Sequence, residues 1–282
     1  ANQTSGLRVV NVADPRNPRE VGSITNWRAL EVYASGNLAF VAAGAAGLRI
    51  VDVRNPANPQ EIGYLLSTPC RDVMRIGMFA YGIRDSSYNS VFYIIDVSDS
   101  TNPTLISSVA PDGWGYALWV LNPYSYAYTA DHWEGMHVIN INNPTTPRVD
   151  TVCFKAHDAA DIWASGNLAA LANSMTGIKI IDIANPTNPL EIGNYDTLGR
   201  YPIWPNTVCI KDTTCLTSWF RNYFPGDQVR VINIADPTKP TLVGTCSLVT
   251  YVDDGPDMDI KDSLLYVAGR SYFDIINVAR PA

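Results

Sequence analysis

One phrase returns seven times along this chain: an apolar run, an Asp or Asn, a turn that usually carries two prolines, and a second short extended run. The copies are GLRVVNVADPRNPREVGSI at 6–24, GLRIVDVRNPANPQEIGYL at 47–65, VFYIIDVSDSTNPTLISSV at 91–109, GMHVININNPTTPRVDTVC at 135–153, GIKIIDIANPTNPLEIGNY at 177–195, QVRVINIADPTKPTLVGTC at 228–246 and a shortened YFDIINVARP at 272–281. The residues that end the apolar run, Asn11, Asp52, Asp96, Asn140, Asp182, Asn233 and Asn277, follow one another at intervals of 41, 44, 44, 42, 51 and 44. A self-similar period in the low forties, built from short strands and turns, is the pattern of propeller blades. A single small sheet cannot bury both faces, and repetition gives each face a neighbour.

A second strand pair recurs between the copies, as LEVYASGNLAFVAAG at 30–44, ADIWASGNLAALANS at 160–174 and MDIKDSLLYVAGR at 258–270. Gly36 and Asn37 tolerate the positive φ that a tight hairpin turn requires. Each unit therefore holds four strands, labelled A (31–35 in the first full unit), B (38–43), C (48–53) and D (60–65). Strand C is apolar at nearly every position, which suits a strand covered on both faces. The Asp or Asn after it can accept from a backbone amide two residues on, and the prolines end the strand, so both are read as structural.

The expectation is one all-β domain over 1–282, a β-propeller of four-stranded antiparallel blades. Six A–B hairpins, seven C strands and six D strands favour six blades. In that scheme residues 19–24 complete the sheet begun by 257–278, and residues 6–12 add an outer edge. Seven blades are the alternative, if another strand pair precedes Ala1. The opening ANQTSG stands mid-repeat, as it would after removal of an N-terminal piece.

The pattern GLxIVDVxNPxNPxxVG resembles the LVIVD repeat family of bacterial and archaeal surface or secreted proteins, and more loosely the YVTN-type propellers. Both prolines are present in Pro15/Pro18, Pro56/Pro59, Pro144/Pro147, Pro186/Pro189 and Pro237/Pro240, while Ser100 replaces the first in the copy at 91–109. The resemblance covers essentially the whole chain. It implies a β-propeller and an extracellular or cell-surface location, and it implies no reaction.

Propeller topology places the proline turns on one rim and the D–A and B–C loops on the other. The second rim varies while the scaffold repeats, which is how a scaffold carries a grafted site. Its candidate ligand-binding residues are Trp27, Arg28, Arg71, Trp114, Tyr116, Trp133, His157, Trp204, Arg221 and Asp254. Aromatic faces beside charged groups suit a glycan or a peptide; the competing reading is that such rings plug the loops. His132, His157, Asp158 and Asp161 form a candidate set for a divalent metal, the one cofactor class the sequence suggests. Glu31, Asp72, Asp161 and Asp257 share one repeat position, where each could hold a cation or cap backbone amides. Cys209 and Cys215 flank IKDTT and are either a cross-strand disulfide or two buried thiols.

The chain has 46% hydrophobic and 17% charged residues, enough for a large core. A net charge of -7 with no basic cluster argues against nucleic acid as a partner. No apolar run reaches the roughly 18 residues of a membrane-spanning helix. No GxSxG elbow, HExxH or glycine-rich phosphate loop occurs. The leading expectation is an extracellular binding module whose loop-rich rim takes a glycan or protein. The alternatives are an extracellular carboxylate-dependent hydrolase or lyase, whose paired acids leave no short motif, and a structural module of a larger surface protein.

Overall fold

The computed structural model describes residues 6–84, 89–121, 125–154, 158–196, 204–220, 228–248, 257–269 and 272–279, with Trp204 and Phe220 described by backbone alone. The first copy forms β1 (Leu7–Asn11) and β2 (Arg19–Ile24). Five complete A–B–C–D units follow. They are β3 (Glu31–Ser35), β4 (Leu38–Ala42), β5 (Leu48–Asp52) and β6 (Gln60–Leu65); β7 (Asp72–Ile76), β8 (Phe79–Arg84), β9 (Val91–Asp96) and β10 (Thr104–Val109); β11 (Gly115–Val120), β12 (Tyr126–Asp131), β13 (Gly135–Asn140) and β14 (Arg148–Cys153). The last two are β15 (Ala159–Ser165), β16 (Leu168–Asn173), β17 (Gly177–Asp182) and β18 (Leu190–Tyr195); β19 (Trp204–Lys211), β20 (Thr214–Phe220), β21 (Gln228–Asn233) and β22 (Thr241–Ser247). The chain closes with β23 (Asp257–Lys261), β24 (Leu264–Ala268) and β25 (Phe273–Asn277).

Each complete unit is a four-stranded sheet in the order A–B–C–D, β23–β24–β25 is a three-stranded sheet in the order A–B–C, and β1 pairs with β2. All six A–B hairpins read from the sequence therefore open a sheet. The contacts sort the chain into two compact units, residues 1–127 with 139–149 and residues 128–138 with 150–282. Among the described residues no helix is long and apolar enough to cross a membrane.

The local chemistry is as the repeat implies. Ser35 pairs with Leu38, leaving a two-residue turn with Gly36 at φ +62. Asp212 and Asp262 take the corresponding positive φ in the hairpins β19–β20 and β23–β24, a conformation Asp tolerates better than most side chains. After every C strand the Oδ1 of Asn11, Asp52, Asp96, Asn140, Asp182, Asn233 or Asn277 accepts the amide two residues on, at 2.8–3.1 Å. Three residues later a second Asx turn follows, with Asp14, Asn55, Asp99, Asn143, Asn185 or Asp236 accepting at 2.9–3.2 Å. The proline turn is thus two successive side-chain caps.

Four of these capping carboxyls are held below the ordinary carboxylate range by hydrogen bonds: Asp52 by Arg54, Asp96 by Ser98, Asp99 by Thr101 and Asp236 by Thr238. A carboxyl depressed in the folded state contributes stability above its unfolded pKa of about 4, and that contribution is lost as pH falls through the folded value. Melting temperature should therefore drop on acidification below about pH 4. Replacing both Asp96 and Asp99 by Asn, which keeps the turns as Asn140 and Asn143 do, should make that drop shallower; identical slopes in acid melts would refute the assignment.

Burial follows strand position. In β9 the four central residues Phe92, Tyr93, Ile94 and Ile95 are all buried, whereas every residue of β10 is exposed or half-buried. Phe40, Leu48 and Ile50 pack on Val73, Ala80, Tyr93 and Ile95 in the first compact unit. Ala170, Ala172, Ile178 and Ile180 pack on Val208, Ile210, Trp219 and Ile232 in the second. The D strand is an edge, and its ladder with C carries a register shift in the β1–β2, β5–β6, β9–β10, β17–β18 and β21–β22 pairs. Such bulges twist an edge away from further pairing.

The glycine of the D-strand motif has a separate cause. A Cβ at Gly22, Gly63 or Gly193 would collide with the backbone carbonyl of Pro56, Ser100 or Pro237, the first position of the proline turn in the next copy. Ser107 and Thr151 stand at the same place in β10 and β14. Their hydroxyls instead donate to the Pro144 carbonyl at 2.5 Å and the Thr187 carbonyl at 3.2 Å. The D strands β2, β6, β10, β14 and β18 are therefore each seated on the following copy's turn, either by close backbone approach or by a hydroxyl.

Candidate functional site

Strand A is the other edge of each sheet, so half its amides lack a ladder partner, and the recurring carboxylates supply one. Glu31, Asp72, Asp161 and Asp257 each accept the amide of the following residue at 2.6–2.8 Å. Asp72 and Asp161 use their second oxygen on the next A strand, accepting Leu118 N at 2.7 Å and Val208 N at 2.8 Å. Of the two roles open to this position, capping amides is the one the structure displays. Asp161, one of the residues expected among metal ligands, bridges β15 and β19 through its two oxygens.

The D–A segments before β7 and β11 bring three of the candidate residues together. The Arg71 guanidinium lies 4.1 Å from the centroid of the Tyr116 ring, and its Nε donates to the Tyr116 carbonyl at 3.2 Å. Tyr116 stacks on Trp114 with centroids 6.2 Å apart and planes 28° apart. All three side chains are half-exposed. A cation over one ring and a second ring beside it make an amphipathic platform, able to cover an apolar face and direct hydrogen bonds at its rim.

In the second compact unit, His132 Nδ1 lies 2.9 Å from Asp158 Oδ1, and the Asp158 amide donates to the His132 carbonyl at 2.5 Å. Trp133 meets His132 edge-on at 4.6 Å and is 47% exposed. His132 and Asp158, two of the candidate metal residues, thus lie together, and no group of three or more His, Cys, Asp and Glu that could hold a metal ion gathers among the described residues, which do not include His157.

Trp27 is a correction. It is 8% exposed, packs with Leu7, Ala29, Val41 and Val51, and donates from Nε1 to Glu61 Oε2 at 2.6 Å. It belongs to the core because Glu61 satisfies its one polar atom there. Arg28 is exposed. His157, Arg221 and Asp254 lie outside the described residues, as does the side chain of Trp204.

The cysteines are a second correction. Cys209 pairs with Leu216, and Cys215 pairs with Ile210, so the two sulfurs face opposite sides of the hairpin. Cys209 packs against Val229, Leu265 and Val267, and Cys215 against Ala170, Ile178 and Ile232. A two-residue turn is centred between its residues, so in the first hairpin Tyr33 faces Phe40 and not Ala39, and the equivalent offset of one position separates Cys209 from Cys215. All five cysteines are free. Burial pushes the Cys215 thiol up to about 12 and, reinforced by nearby Cys215 and carboxylates, raises Cys209 well above its ordinary value.

Sequence reasoning pairs Asp131 with His132 on the rim and passes over Thr129; both Thr129 and Asp131 are buried polar groups in β12. The available signal was register: Asp131 occupies the place of Asn173, ending strand B before a three-residue turn.

Solved structures resemble this chain in fold. A functionally unknown protein from Desulfotomaculum acetoxidans shares 13% identity with a TM-score of 0.77, over 93% of this chain and 86% of that one. A chain of the Mitotic Checkpoint Complex shares 11% with a TM-score of 0.72, over 97% and 85%. The computationally designed Ika8 protein shares 9% with a TM-score of 0.64, over 97% and 90%. No curated protein matches significantly. With the antiparallel A–B–C–D sheets, these likenesses make the fold a β-propeller. The LVIVD repeat model matches residues 28–66, 72–110, 119–153 and 156–197, more than half of the sequence, and the chain belongs to the LVIVD repeat family.

Proposed function

We propose that this propeller is an interaction module working outside the cytoplasm, and that it binds a glycan at the D–A loops through Trp114, Tyr116 and Arg71. The carrying observation is the stack itself. Two loops 45 residues apart converge to set a guanidinium on one ring and a second ring beside it, both half-exposed. The apolar face of a pyranose matches such a ring surface, and the adjacent polar atoms fix its orientation. Family membership supports the extracytoplasmic setting, and the structural comparisons support the scaffold alone.

A glycan array probed with the purified chain tests this reading. A specific hit is expected, and Trp114→Ala should weaken it by about 30-fold, the loss typical of a central aromatic anchor. A silent array, or a hit indifferent to Trp114→Ala, would overturn the assignment.

A further inference from the structure

Independently of the glycan reading, we infer that β12 and β13 carry a buried site for a divalent transition-metal ion, held by Asp131 and Thr129 with His137 beside them. Asp131 ends strand B and is fully buried. Its Oδ1 accepts the amides of Trp133 at 2.9 Å and Glu134 at 2.8 Å. Asn173 does the same work at the same place in β16, accepting Met175 N at 3.2 Å and Thr176 N at 3.1 Å. The turn therefore needs an acceptor oxygen, which an amide supplies, and it does not need a negative charge.

What Asp131 adds is Oδ2, which has no hydrogen-bond partner among the described residues. A buried carboxylate oxygen left without one is costly, and such groups call for a bound ion, water or proton. Thr129 stands two residues earlier on the same face of β12, is also fully buried, and its Oγ1 likewise has no hydrogen-bond partner among the described residues. In β16–β17, Asn173 faces Gly177 and Leu171 faces Lys179. Gly135 repeats Gly177 in position and in positive φ, so the same register sets Thr129 opposite His137, whose ring is 1% exposed. Carboxylate oxygen, hydroxyl oxygen and imidazole nitrogen are a mixed donor set suited to zinc or a similar ion, with water completing the shell.

The test uses the whole chain without a polyhistidine tag, stripped with chelator and titrated with zinc while melting temperature and bound metal are measured. One zinc per chain is expected, and at about 100-fold excess over Kd the melting temperature should rise by about 5 °C. Asp131→Asn retains the turn, so it should fold and lose the zinc-dependent rise. Thr129→Val should weaken zinc binding by about 10-fold, and it carries the test if the first variant does not fold. His132→Gln, which alters only the rim pair, should bind as the wild type does. No zinc bound by the wild type, equal binding by Asp131→Asn or Thr129→Val, or loss of binding in His132→Gln would each overturn the proposal.

Discussion

Valine at position 63 is expected to lower the stability of this propeller by about 3 kcal/mol, the upper part of the range for forcing extra atoms into a packed site. A chain of this size should then melt about 6 °C earlier. Gly63 is half-way along β6, where any Cβ would overlap the Ser100 carbonyl and press on Thr101. The obstruction is backbone in a capped turn, which cannot rotate aside as the end of a side chain would. Gly63→Ala carries the same Cβ without the valine methyls, and because the collision begins at that atom it should cost more than half of what valine costs. Ser107 occupies the same position in β10 and donates to the Pro144 carbonyl, so that strand meets the next turn through a hydroxyl and not by close backbone approach. Thermal melts of the two variants decide the matter. No loss in Gly63→Val would remove the seating of D strands on the next turn.

The repeat made the strands legible because its constraints are local. A two-residue turn needs positive φ, an Asx cap needs its oxygen two residues before an amide, and a doubly covered strand must be apolar on both faces; Gly36, Asp52 and Val91–Asp96 satisfy these within a few residues of sequence. The contacts between copies were less accessible. Nothing near Gly63 in sequence announces Ser100, 37 residues away, although Ser107 and Thr151 at its repeat position were a usable hint. Arg71, Trp114 and Tyr116 were readable as rim residues from their place in the D–A loops, but the stack depends on two loop conformations that no periodicity sets. Trp27 shows the reverse error. A tryptophan in a loop reads as available for ligand, whereas Glu61 on β6 satisfies its indole in the core. The cysteines failed on a half-step of register, because strand alternation turns one residue of offset into opposite faces.

The same logic of register makes Asp161 the second large test. Its carboxylate serves two amides at once, Ile162 N through Oδ1 at 2.7 Å and Val208 N through Oδ2 at 2.8 Å, joining two neighbouring A strands. Hydrogen bonds to a charged group contribute about 1.5–3 kcal/mol each, so Asp161→Ala should cost about 3 kcal/mol and leave two edge amides without their acceptor. Asp161→Asn discriminates between a clamp and a generic polar residue. An amide has one acceptor oxygen, and its NH2 would face the other backbone N–H, so asparagine should recover less than half of the loss despite being the same size. The strands β11 and β19 carry Ala117 and Thr207 at the equivalent position, so the fold does not require a clamp on every A strand, and the variants should melt earlier while remaining folded. A carboxylate acting instead through a bound cation would give a different pattern: wild-type stability would fall with chelator, and the Asp161→Ala loss would disappear in its presence. A loss of the same size with and without chelator, larger for alanine than for asparagine, is the result that a carboxylate bridging two backbone amides demands.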